Sequence, residues 1–459
     1  MGGVFIKDYE VIAYRKEHDS FGMLEVPLDA LYGVQTMRSV QNLSFSGHQL
    51  SQYPQYIKSL ALVKKAAALA NMESQEVDEL IASQIKKACD KLIGGEYQQH
   101  FIVDVYHGGG GIGTNMNINE VIANLANESF GEKRGTYCPV HPITHVNASQ
   151  STSDVCHTSM RLAILKQYEL LDPVLKVVGN LLNQKAKEFM SIKTISRTCL
   201  QDGMQVRLGD TFSGYAAVIE RRHFNLERVV NNLKQVNLGG TVIGSGIGSS
   251  ESYRTIILEK LAEVTDVEFI HRKNLYDAAQ NIDDLVEVSQ QLSLLATCLV
   301  KIAKDLRLLS SGPEAGFFEI SLPSVQSGSS FFPGKVNPVI PETLIQCCFQ
   351  VLGHDRAVQA TLEHGELNLN IFESATGINI LEEMKMLERA LNLFAEKCLR
   401  NITVNDERCN ELSNSFIPTV VNLKEKYGYE AVSKLINEKS KSELKSLAYG
   451  GGDQFETNQ

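Results

Sequence analysis

Eight apolar residues between Leu285 and Leu309 place the strongest constraint on what this chain can fold into. Leu285, Val288, Leu292, Leu295, Leu299, Ile302, Leu306 and Leu309 are spaced 3, 4, 3, 4, 3, 4 and 3 residues apart. Side chains at that spacing line one face of an α-helix, and a seam of about three and a half heptads is best covered by other helices. Met384, Leu387, Leu391, Phe394 and Cys398 repeat the pattern, as do Leu171, Leu175, Val178 and Leu182. Pro173 is expected in a first turn or at a kink, because its ring removes a backbone N–H and crowds the preceding turn. Several long helices of this kind predict a mainly all-α protein with an antiparallel or mixed bundle, and the stripes are read as core rather than as cofactor-binding faces.

The remaining composition narrows the class. The chain has 459 residues, 43% hydrophobic and 21% charged, with a net charge of −10. That is ordinary for a globular protein, and no basic block points to nucleic acid. No apolar run reaches the length of a membrane span, and Met1–Lys7 lacks the apolar stretch of a signal peptide. The nine cysteines form no CxxC pair, which suits a reducing cytosol better than a disulfide framework. HExxH is absent and the eleven histidines show no metal-ligand spacing, so neither a metal nor another cofactor is expected. The glycine-rich stretch Gly239–Ser250 fails the dinucleotide pattern at Ser249.

The chemistry concentrates in Gly328-Ser329-Ser330-Phe331-Phe332-Pro333-Gly334-Lys335-Val336-Asn337-Pro338. Gly and Pro at four positions stop a helix or strand from running through it. Two hydroxyls, a cation and an amide therefore sit on a loop between long helices, an arrangement suited to capturing and deprotonating an anion. Three further polar clusters lie at Gly108–Asn119, His141–Asp154 and Arg197–Asp202. Simpler roles stand beside these. Ser151-Thr152 before Asp154 also makes a helix N-cap, Asn337 before Pro338 also starts a turn, and Glu342 also serves to cap or pair at the start of the next helix.

The ordered set Gly, Ser, Ser, Pro, Lys, Asn, Pro closely resembles the GSSxxPxKxNP signature of the aspartase/fumarase superfamily. Glu25-Val-Pro, Tyr32-Gly-Val-Gln-Thr, Asn115-Met-Asn-x-Asn-Glu120, His145-Val-Asn-x-x-Gln-Ser-Thr152, Arg197-Thr-x-Leu-Gln-Asp202 and Asp305-Leu-Arg-Leu-Leu-Ser-Ser-Gly-Pro313 are similar to other segments of that superfamily, nearer aspartase than fumarase. The resemblance implies a three-domain lyase fold: a mixed or helical N-terminal domain over 1–150, a central bundle over 151–407 and a small helical domain over 408–459. It implies a cytoplasmic homotetramer that completes the bundle and shares each active site among three chains. The implied reaction is anti elimination from a small dicarboxylate to give fumarate or a fumaryl product. Ser329 would be the base. Ser151, Thr152 and Ser330 would donate to the carboxylate on which charge develops, and Lys335 and Asn337 would hold the other carboxylate.

Three positions depart from the pattern, all where the resemblance puts the leaving group. Ile112 stands where aspartases and fumarases have Thr, Ser153 where they have Asn, and Cys199 where many have His; Thr198 lies beside them. The base and carboxylate positions are kept while the leaving-group side has lost hydrogen-bonding capacity, which would leave an ammonium poorly held. The expected substrate is therefore an aspartate-type or other 2-substituted succinate. A true aspartate ammonia-lyase with a rearranged amine pocket, a fumarate hydratase and a catalytically silent structural or binding member are the alternatives.

Overall fold

The computed structural model describes residues 13–450, and these are mainly helical with four two-stranded sheets. In chain order the elements are β1 (Tyr14–Asp19), β2 (Gly22–Pro27), α1 (Val34–Leu43), α2 (Pro54–Glu73), α3 (Glu79–Ile93), α4 (Ile112–Glu128), α5 (Thr152–Glu188), β3 (Lys193–Thr198), β4 (Gln201–Arg207), α6 (Leu208–Asn232), β5 (Gln235–Val236), α7 (Glu251–Thr265), β6 (Ile270–His271), α8 (Leu275–Gln280), α9 (Asp283–Leu309), β7 (Ile320–Ser321), α10 (Val339–Glu363), α11 (Glu373–Lys397), β8 (Thr403–Val404), α12 (Asp406–Ser413), α13 (Phe416–Tyr427), α14 (Tyr429–Glu438) and α15 (Lys441–Tyr449). The predicted periodicity holds for α9: all of its stripe from Leu285 to Leu306 is fully buried, and only Leu309 at the helix end is partly open. Pro173 starts no helix. It lies inside the 37-residue α5, where the packing of a long apolar face outweighs the one backbone hydrogen bond the ring removes. Of the adjacent Cys347 and Cys348, Cys348 is buried and Cys347 is half-open, because neighbours on a helix point about 100° apart.

The chain divides into two compact units, each discontinuous in sequence. The first comprises the described chain up to Leu171, Asn225–Ser293 and Gln350–Lys385. Here β1 and β2 pair antiparallel from Tyr14↔Pro27 to Asp19↔Gly22. Helix α1 has no side-chain cap at Gly33. Glu120 on α4 supplies one from a distance, accepting the N–H groups of Gly33, Gln35 and Thr36 at 2.8, 2.8 and 3.1 Å and the Thr36 hydroxyl at 2.6 Å.

The second unit comprises Asp172–Phe224, Leu294–Phe349 and Met386 to the end of the described chain. Its β3–β4 hairpin turns on Cys199 and Leu200, both left-handed at φ 54° and 60°. The buried Glu319 fixes the hairpin, accepting from the Thr194 hydroxyl and from Arg197 Nη1 at 2.7 Å. A small core of Leu423, Val432, Leu444 and Ala448 joins α13, α14 and α15. Among the described residues no helix is long and apolar enough to cross a membrane.

Candidate active site

In the second unit, the loop from Gly328 to Pro338 is pinched at its base. Gly328 N donates to Lys335 O at 2.8 Å, and Asn337 Nδ2 donates to Gly328 O at 2.8 Å. A Cβ at Gly328 would stand 2.7 Å from Asn337 N, so only glycine permits this closure. Asn337 thus closes the loop backward over nine residues, and its amide oxygen is left out of that bond. Inside the pinch the Ser329 Oγ accepts two backbone N–H groups, from Phe331 at 2.9 Å and Phe332 at 2.8 Å. Two fixed dipoles aimed at one hydroxyl oxygen favour negative charge on it. Ser330 and Lys335 are exposed, and Lys335 has no carboxylate partner among the described residues; its Nζ lies 6.0 Å from the Phe332 ring centre. Lys335 and Asn337 line a cleft of about 540 Å³ together with Ser310, Ser321 and Ser324, within the size range of small-ligand sites. Glu342, one turn into α10, pairs with Arg307 at 3.2 Å.

Thr198 and Cys199 lie in the same unit, exposed at the hairpin tip. The hairpin borders a separate hollow of about 290 Å³ that shares no lining residue with the Lys335 cleft.

In the first unit, Ser151, Thr152 and Ser153 form the start of α5. Ser151 caps it: its Oγ accepts Ser153 N at 3.2 Å while its own N–H donates to Asp154 Oδ1 at 2.8 Å. Asp154 Oδ2 also accepts Gly239 N at 3.0 Å and Thr241 N at 3.1 Å, which ties the glycine-rich Gly239–Ser250 loop to this helix start. Burial pushes the Asp154 carboxyl up to about 6. Thr152 Oγ1 accepts Asn115 Nδ2 at 3.0 Å. Ile112 opens α4 behind three left-handed glycines, Gly109, Gly110 and Gly111, and remains 45% exposed. A Cβ at Gly111 would approach Cys156 Sγ to 2.8 Å, so the turn that presents Ile112 depends on glycine there.

One group near this helix start belongs to none of the sequence motifs. Lys64 on α2 is fully buried and donates to Asn147 Oδ1 at 2.8 Å and Gln150 Oε1 at 3.0 Å. Burial holds its ammonium down at about 7. The signal was present: Ile57, Leu60, Lys64, Ala67 and Asn71 follow core spacing, and a lysine on such a stripe is anomalous.

The mainly helical fold is that of a lyase. The chain belongs to the aspartase/fumarase superfamily. A family profile described as "Lyase" matches residues 22–353. An aspartate ammonia-lyase of Helicobacter pylori is 43% identical over 432 residues, covering 94% of this chain and 92% of the relative. One from a Bacillus species is 40% identical, covering 92% and 90%. Among solved structures, the fumarate lyase:delta crystallin of Brucella melitensis bound to cobalt superposes with a TM-score of 0.92 at 40% identity, covering 95% of this chain and 96% of that one. A class II fumarase of Schistosoma mansoni gives 0.91 at 30% identity, with 95% of each covered.

Proposed function

We propose that the chain catalyses anti elimination from an aspartate-type or other 2-substituted succinate, forming fumarate or a fumaryl product by carbon–nitrogen cleavage. The observation that carries this is the Ser329 oxygen on the N–H groups of Phe331 and Phe332. A serine hydroxyl is a weak base, and its alkoxide becomes accessible only where donors stabilise it. The alkoxide takes the proton next to one carboxylate, that C–H pair becomes the new C=C bond, and the leaving group departs from the neighbouring carbon with its own bonding pair. The charge that builds on the first carboxylate is met by Ser151, Thr152 and Ser330. Lys335, exposed and without a carboxylate partner among the described residues, and Asn337 hold the second carboxylate. Ile112, Ser153, Thr198 and Cys199 surround the leaving group.

These residues are supplied by three chains of a homotetramer in a reducing cytosol, a setting that suits nine free cysteines. The names of the relatives favour a second reading, plain aspartate as substrate. Against it stand Ile112, which offers no hydrogen bond, and Cys199, which offers only a weak one.

The test is to add fumarate with ammonia, or with a series of substituted amines, and follow the loss of fumarate absorbance. Consumption with substituted amines at least tenfold faster than with ammonia is the expected result. Preference for ammonia selects the second reading, and inertness with every amine removes carbon–nitrogen chemistry.

A further inference from the structure

A fully buried lysine on a core stripe calls for an explanation, because an apolar residue there would avoid the desolvation cost. Lys64 forms no ion pair among the described residues; it faces two amide oxygens, with Asp154, Cys156 and Cys89 as the titratable groups around it. In its protonated form Lys64 only donates hydrogen bonds. Lys64 therefore dictates that Asn147 and Gln150 turn their oxygens inward. Their nitrogens agree with that orientation: Gln150 Nε2 donates to Val146 O at 3.1 Å and Ala148 O at 2.9 Å, and Asn147 Nδ2 donates to Gln150 O at 3.2 Å.

Asn147 Oδ1, so placed, accepts two more donors, Asn115 Nδ2 at 3.0 Å and Asn119 Nδ2 at 3.3 Å. That sets which way Asn115 faces, and its Nδ2 also reaches Thr152 Oγ1 at 3.0 Å. A threonine hydroxyl that is already accepting has its own hydrogen free to donate elsewhere. Without Lys64, Asn115 could present its oxygen instead; Thr152 would then spend its hydrogen on Asn115 and turn a lone pair toward an incoming anion.

We propose that Lys64 is a positioning residue, which acts through Asn147 and Asn115 to keep the Thr152 hydroxyl a donor toward the substrate carboxylate. The proposal rests on the site reading above, in which Thr152 meets that carboxylate. It extends the active-site machinery to a residue on α2 that touches no substrate.

The test compares Lys64→Met, Thr152→Val and the double variant in the intact protein. Each single variant is expected to lower kcat/KM for the fumarate-forming elimination about tenfold, mainly in kcat, since the affected bond strengthens as charge develops. The double variant is expected to match Thr152→Val alone, because Lys64 acts only through that hydroxyl; effects that multiply overturn the proposal. A crystal structure of Lys64→Met gives a readout independent of activity. Collected with neutrons on deuterated crystals, which tell the amide nitrogen from the oxygen, it is expected to show the Asn115 amide flipped, or parted from Thr152 Oγ1 by more than about 3.5 Å. An unmoved Asn147–Asn115–Thr152 chain overturns the proposal. A disturbed chain in a protein that turns over no 2-substituted succinate supports the positioning and defeats the site reading instead. Should Lys64→Met fail to fold, Asn115→Leu cuts the same chain without touching the ammonium, and its effect must likewise vanish in the Thr152→Val background.

Discussion

Asp284 grips Arg161 side-on inside the first unit: Arg161 Nε donates to Oδ2 and Nη2 to Oδ1, both at 2.7 Å. Arg161 is fully buried, and its Nη1 also reaches Glu373. The three groups join α5, α9 and α11 through charge rather than through a stripe. Removing one partner of such a pair strands the other charge.

Asp284→Ala is therefore expected to destabilise the protein by about 3–5 kcal/mol, read from the urea midpoint at fixed protein concentration. A change under about 1 kcal/mol would show that Arg161 finds water or another partner.

Glu373 gives this cluster an acid limit. Burial by itself would raise its carboxyl, but the charges beside it hold it at about 2, below the ordinary 4.5. His157 and Arg161 both face it; burial drives His157 down, so Arg161 is the partner that stays charged at neutral pH. Because the folded value is depressed, the stability Glu373 contributes is fully present above pH 4.5 and is lost as pH falls toward 2. Unfolding midpoints measured across that window should fall less steeply in Glu373→Gln than in the parent. Equal slopes would assign the acid sensitivity to other carboxylates.

Ser329→Ala is expected to lower kcat about a thousandfold, within the range for loss of a general base, with the thermal midpoint unchanged to within about a degree. The loop packs little, so activity within a few-fold of the parent would remove Ser329 from the mechanism. Lys335→Ala should instead act on binding, raising KM roughly 10- to 100-fold, the worth of one hydrogen bond to a charged group. An unchanged KM contradicts that role.

Restoring the leaving-group side tests specificity. Two missing hydrogen bonds to an ammonium, at roughly 1.5–3 kcal/mol each, predict an aspartate kcat/KM about two to four orders of magnitude below that of a typical ammonia-lyase. Ile112→Thr, Ser153→Asn and Cys199→His combined should raise it, with coupling among the three expected. Parent protein that already deaminates aspartate at ordinary rates would show that these three positions do not set the amine preference.

The sequence by itself determined the helices and the outline of the polar loop. Periodicity is a relation between residues three or four apart, so the α9 seam was visible from Leu285 to Leu309, and Gly328, Pro333, Gly334 and Pro338 excluded regular structure locally. The tertiary structure alone decided who partners whom. Nothing near Gly33 announces that Glu120 will cap α1 from α4. Nothing in Cys199-Leu200, which lacks the usual Asn or Gly, announces a left-handed hairpin turn. Pro173 lies inside α5 and not in a first turn, a choice that local rules left open. Lys64 shows the difference most directly: its spacing marked it as core, but its meaning lies in Asn147 and Gln150, more than eighty positions away in the chain. Local patterns encode which face of an element is buried. The donor and acceptor that meet across that face are set only when chain closure brings distant segments together, and burial then makes each unpaired polar atom costly enough to fix the choice.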